Sequence, residues 1–171
     1  MKISIRAISL LQSALIVVAT TVCLSLPSGV AAAPGATQDI ARHLYDRVMD
    51  EFRQKDYEAA LAGFRFFMEL HSQSILAANA QYWIGECEYR LGRYQDALTS
   101  FYNVMSYYPL SSKLPASTLK IGQIYTKLHD KEKARMMYER VVDQYPDLAE
   151  AEVARRALEA AAPKSETVTV E

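Results

Sequence analysis

The chain has 171 residues, half of them apolar or aromatic, and a formal net charge of −1 from 19 basic and 20 acidic side chains. That is one domain's worth of core-forming sequence. Without a basic excess it offers no electrostatic attraction to nucleic acid or an anionic lipid surface, and neither is expected as a partner.

In chain order, residues 1–32 read as a signal peptide. Lys2 and Arg6 precede an uncharged stretch over 7–26, followed by Pro27, Gly29 and the small residues Val30, Ala31, Ala32 and Ala33, with cleavage after Ala32. Retained instead, the same stretch approaches the length of a membrane span, the one route to membrane contact. Either outcome exports the rest of the chain. Cys23 is preceded by Thr20, Thr21 and Val22, a poor setting for lipidation, which wants leucine three positions before and a small residue directly before. Removing 1–32 leaves 17 basic against 20 acidic residues, a net charge of −3, and Cys87 as the sole cysteine. Its small, core-facing place predicts a buried unpaired thiol.

A short linker over 33–37 leads into a repeat. Ala60, Ala97 and Ala134 lie 37 residues apart, each followed four positions later by an aromatic, Phe64, Phe101 and Tyr138. Twelve positions after each alanine come Ser72, Pro109 and Pro146; twelve before the second and third stand Gly85 and Gly122. A regular period near this length means an all-α solenoid of stacked helix pairs. The spacings predict helices over 38–53, 57–70, 75–91, 94–107, 114–128 and 131–144, and a seventh, amphipathic one around Leu148 to Leu158 that caps the stack. The repeat domain thus covers 38–162, and the polar tail 163–171 is expected to be a flexible end.

The pattern resembles the tetratricopeptide repeat. Ile84-Gly85, Ala97, Phe101 and Pro109, then Ile121-Gly122, Tyr125, Ala134, Tyr138 and Pro146, fall at its signature places, whereas unit one has Val48 for glycine and Ser72 for proline. The usual unit has about 34 residues, and the excess falls between units, predicting longer inter-repeat turns. Gly85 and Gly122 are expected where two helices cross closely, since a larger side chain would hold the backbones apart.

Catalytic constellations are absent from the sequence: no phosphate loop, no G-x-S-x-G, no H-E-x-x-H, and three histidines (His43, His71, His129) without a partner at metal-ligand spacing. The expectation is a non-enzymatic protein with no cofactor, no metal and no small-molecule substrate. What remains is a binding surface. The resemblance places it on the concave face built by the first helix of each pair, at Arg42, Tyr45, Met49, Phe52 and Arg53 in unit one. Unit two contributes Asn79, Tyr82, Glu86, Tyr89 and Arg90; unit three contributes Ala116, Leu119, Gln123, Thr126 and Lys127. This mixture of rings and polar groups suits a peptide segment. Met49 stands where a carboxylate clamp needs asparagine, so a C-terminal carboxylate is not the expected ligand.

The run Asn79-Ala80-Gln81-Tyr82-Trp83-Ile84-Gly85-Glu86, the openings Tyr57-Glu58-Ala59-Ala60 and Tyr94-Gln95-Asp96-Ala97, and Tyr108-Pro109-Leu110-Ser111 resemble the C-terminal repeat domain of the Tol-Pal-associated periplasmic cell division coordinators. That resemblance implies a periplasmic scaffold in the Gram-negative envelope. It would bind Tol-Pal and peptidoglycan-synthesis proteins and couple constriction to wall synthesis. The family also carries a trimerising N-terminal coiled coil, while here 34–38 lead into the first repeat without heptads, so self-association is left open. The alternative is a relative of the repeat lipoprotein of the outer-membrane β-barrel assembly machine. It would carry five repeats and a lipidated cysteine, where this chain shows three and a poor site.

Overall fold

The computed structural model describes residues 34–161; the signal-peptide reading of 1–32, Cys23 with it, and the tail 163–171 lie outside the described residues. Seven helices and no strand are found among them: α1 Pro34–Arg53, α2 Tyr57–His71, α3 Ala77–Arg90, α4 Tyr94–Tyr107, α5 Leu114–Lys127, α6 Lys131–Gln144 and α7 Ala149–Ala161. None of the described helices is long and apolar enough to cross a membrane. Residues 34–37, expected as linker, are helical, because proline's fixed φ and missing N–H are tolerated in a first turn.

Helices α1/α2, α3/α4 and α5/α6 are three successive pairs, and each pair turns by the same device. Lys55, Gly92 and His129, 37 residues apart, have φ of 65°, 76° and 60°. The next amide donates back to the carbonyl five residues earlier, Asp56 to Glu51 (3.0 Å), Arg93 to Glu88 (2.8 Å) and Asp130 to Tyr125 (3.0 Å), which closes the left-handed C-terminal cap of a helix. Asp56 and Asp130 then cap the next helix, accepting from Ala59 N and Lys133 N. Only Gly92 suits the positive φ, and a side chain there costs about 1–2 kcal/mol. We therefore expect His129→Gly to raise stability by about 1 kcal/mol in urea unfolding; a loss would mean that the imidazole makes a contact that outweighs this strain.

The extra residues of the period lie between pairs, as expected, and Ile75 and Leu76, expected in a helix, belong to a turn. Ser74 Oγ accepts from Leu76 N (3.2 Å) and Ser111 Oγ from Lys113 N (3.1 Å), the same turn 37 residues on. The backbone bonds Ser111 N to Tyr108 O and Leu114 N to Ser111 O recur as Leu148 N to Tyr145 O and Ala151 N to Leu148 O. So α7 enters in the register of a fourth unit's first helix. It covers the end of the third pair with Ala151 and Ala154, both buried against Ala134, Tyr138 and Val141.

Within each pair a small residue lets a ring approach. A Cβ on Gly85 would lie 2.9 Å from Phe101 Cε1, and one on Gly122 2.7 Å from Tyr138 Cε1; both are closer than carbon atoms pack. Unit one solves the same problem from the other side: Val48 is buried, and the gap it needs is made by Gly63 on α2, where a Cβ would lie 2.6 Å from Val48 Cγ2.

Candidate functional site

The first helices of the pairs, α1, α3 and α5, lie side by side and form the face on which the sequence places the site. Equivalent positions along it make equivalent contacts with different chemistry. Phe52 of α1 packs on Tyr57 at 5.3 Å between ring centroids, and Tyr89, 37 residues on, packs on Tyr94 at 5.7 Å. Trp83 reaches back to Phe52 at 4.7 Å. At the equivalent place in the next unit Lys120 reaches back instead, its Nζ 4.9 Å from the Tyr89 ring and 2.6 Å from Glu86 Oε1. An aromatic joint between units one and two thus becomes a cation–ring and ion-pair joint between units two and three.

The other side of the stack alternates in the same way. Arg65 on α2 donates to the buried Glu88 on α3 at 2.8 Å, and Ser100 Oγ donates to the other oxygen at 2.6 Å. The equivalent pair one unit on is Tyr102 and Tyr125, whose hydroxyls meet at 3.3 Å. A cleft of about 470 Å³ runs beside Arg65, Gln81, Glu88 and Ser100. Its carboxylate is fully engaged within the fold, and that is a structural use.

Of the expected site residues, the place three before the glycine turns inward in every unit. Tyr45 packs on Phe64 (5.6 Å) and Phe67 (5.8 Å), and Tyr82 packs on Phe101 (5.5 Å). Leu119 joins the cluster with Tyr138 and α7. Tyr82 and Leu119 are 9 % and 7 % exposed. They correct the expectation of an open contact surface there, because the ring on the second helix needs an apolar lid beside its glycine. Burial pushes the Tyr45 hydroxyl up to about 12, and that of Tyr82 rises as well, with the Glu86 and Glu150 charges adding to it. Glu86, expected to orient a ligand, is 3 % exposed and lies between Lys120 and Arg90, the latter at 3.8 Å. Thr126 accepts from Tyr138 OH at 2.9 Å while donating to Gly122 O. Arg53 pairs with Asp50 at 2.7 Å.

What stays accessible is a narrower set. Arg42, Arg53, Arg90, Thr126 and Lys127 are exposed, and Tyr45, Met49, Phe52, Asn79, Tyr89, Ala116 and Gln123 are partly buried. Two residues outside the expected register join them: Lys120, and Lys113, whose Nζ stands 5.2 Å from the Tyr82 ring and 5.8 Å from Trp83. The sequence carried one clue to Lys120, since 37 positions earlier stands Trp83. Trp83 itself is partly buried and touches the clusters of both neighbouring units. Cys87 is fully buried, and burial raises its thiol to about 12. Among the described residues no group of three or more His, Cys, Asp or Glu side chains could hold a metal.

Two tetratricopeptide-repeat models match the chain, over residues 45–105 and 76–147. A stretch of 51 residues is 39 % identical to the cell division coordinator CpoB of Pseudomonas putida; it covers 30 % of this chain and 19 % of that relative's length. Among solved structures, PcrH from Pseudomonas aeruginosa is similar at TM-score 0.64 and 20 % identity, covering 72 % of this chain and 92 % of that one. The Yersinia enterocolitica type III secretion chaperone SycD, solved with a peptide of the translocator YopD, gives TM-score 0.61 and 14 % identity, covering 72 % and 89 %. At such identities these two structures bear on the fold alone.

Proposed function

This chain is a tetratricopeptide-repeat protein, and we propose that it acts in the Gram-negative periplasm as a non-enzymatic scaffold that holds a segment of an envelope protein on its α1/α3/α5 face during cell division. The observation that carries the reading is the character of that face. Once the core rings are accounted for, it still presents Tyr89 and Gln123 beside exposed cations, a partly apolar, partly hydrogen-bonding strip suited to a peptide. Solved relatives of this fold hold peptide segments of other proteins. The division role is supported by the match to the coordinator of P. putida and by the N-A-Q-Y-W-x-G-E resemblance. Export is supported by the charged, uncharged and small-residue order of residues 1–33. Association with Tol-Pal and septal peptidoglycan synthesis rests on the same resemblance.

The test is recovery from solubilised envelope by the full chain carrying a C-terminal tag, against a Tyr89→Ala/Gln123→Ala variant shown to melt within a few degrees of wild type. The expected result is Tol-Pal or septal wall-synthesis proteins with wild type and at least a tenfold loss with the variant. Recovery of barrel-assembly components instead overturns the division role, and equal recovery by both forms overturns the face.

A further inference from the structure

In this stack each helix pair is covered by the first helix that follows it, and the cover over the third pair is incomplete. The end of α3 lays Ile84, Cys87 and the capping residue Leu91 on the cluster that holds Ala60 and Phe64. The end of α5 lays Ile121, Ile124 and Leu128 on the cluster of Ala97 and Phe101. The places 37 residues on from α5 are Leu158, Ala161 and Ser165, so the second place shrinks to a methyl group and the third becomes polar. Pro163 stands before that third place, and a proline interrupts the helix that would carry it onto the cluster. The burial follows this pattern. Ala60, Phe64, Ala97 and Phe101 are all 0 % exposed, whereas Ala134 and Tyr138 are 5 % and 6 % exposed. Leu158 is only partly buried, although its counterparts Ile84 and Ile121 are buried. A groove of about 430 Å³ opens at this seam, with Ala134, Tyr138, Ala157, Leu158 and Ala161 in its walls.

We propose that residues 164–171 of the same chain occupy this groove, in place of the free end that their polar composition suggests. Ala161 lies in the groove wall, so the segment that follows it starts at the groove itself. Its first apolar residues after Pro163 are Val168 and Val170, in the run Thr167-Val168-Thr169-Val170. An extended chain puts alternate side chains on one face, which sets both valines together against an apolar wall. The seven residues from Ala161 to Val168 reach up to about 23 Å, and packed helices stand only about 8–10 Å apart. Turning back at Pro163, the chain therefore brings both valines onto Tyr138 and Leu158. There they supply the apolar cover that Ile124 and Leu128 give the middle pair. Tethering favours this segment over the same stretch of another copy, because a short linker holds it at an effective concentration in the millimolar range. Thr126 lines the groove and also belongs to the α1/α3/α5 face, so the docked segment borders whatever that face holds.

The test is nuclear Overhauser spectroscopy on the full chain, read between the methyl groups of Val168 and Val170 and the ring protons of Tyr138. Direct cross-peaks are expected within one chain. They should be absent from the isotope-filtered spectrum of a mixed sample, which reports contacts between chains only. Ala161→Ile supplies the side chain that Ile124 gives the middle seam, and it should remove the cross-peaks by filling the groove. Deleting 164–171 should lower the melting temperature by about 2–4 °C, the response of a chain of this size to losing roughly one buried apolar side chain. Absent cross-peaks or an unchanged melting temperature after the deletion overturns the docking. Cross-peaks that survive Ala161→Ile overturn its place in the seam, and cross-peaks between chains make a second copy the occupant.

Discussion

Replacing Phe101 by alanine is expected to cost about 3–5 kcal/mol, the range for emptying a fully buried aromatic site, and to lower the melting temperature by about 10 °C or more. Phe101 is 0 % exposed, faces the crossing at Gly85 and carries Tyr82 at 5.5 Å. Because it belongs to the middle pair, its loss weakens the joints to both neighbours, and in a solenoid stability runs through such nearest-neighbour joints. The unfolding transition should also broaden, as the terminal pairs lose their coupling. Urea unfolding followed by circular dichroism measures both. A loss under 1 kcal/mol would contradict the close packing of this ring against Gly85.

The second large effect is expected at Lys120. Lys120→Met removes the nearest cation from Glu86, which is 3 % exposed, and leaves Arg90 at 3.8 Å as the remaining partner. Breaking a buried pair from one side costs about 3–5 kcal/mol; with Arg90 still present, about 2–3 kcal/mol is expected. The informative variant is Lys120→Met/Glu86→Met. At the joint between units one and two, Met49 stands at the place of Glu86 and the apolar Trp83 at that of Lys120, so the fold already accepts an apolar joint there. The double variant should recover most of the loss, giving a coupling energy of about 2 kcal/mol in a double-mutant cycle. Additive losses would mean that the ion pair does not hold the joint.

The period of 37, the six paired helices and the capping helix were legible because each unit repeats its steric solution, small residue against ring, at fixed spacing. Gly85 and Gly122 announced their role by identity; Gly63 did not, since unit one moves the small residue to the partner helix and Val48 then looks like a defect. The left-handed turn residues were hidden for a similar reason. Gly92 is an evident candidate, whereas Lys55 and His129 occupy the same place with side chains that disguise it. The site was legible as a face and less so as a set of atoms. A family register assigns Tyr82 and Leu119 to the open surface, but burial depends on how far the neighbouring ring reaches, which spacing does not encode. Lys113 and Lys120 escaped because their partners lie one unit back, and a contact across units has no signature within either.

Photo-crosslinking in living cells tests the central claim most directly, with benzoylphenylalanine placed singly at Gln123 on the α1/α3/α5 face and at the exposed Glu139 on α6. The account predicts one discrete adduct from Gln123, identified by mass spectrometry as an envelope protein, and none of that species from Glu139. The same adduct from Glu139 and none from Gln123 would contradict it, placing the partner on the second helices and leaving the α1/α3/α5 face without a ligand.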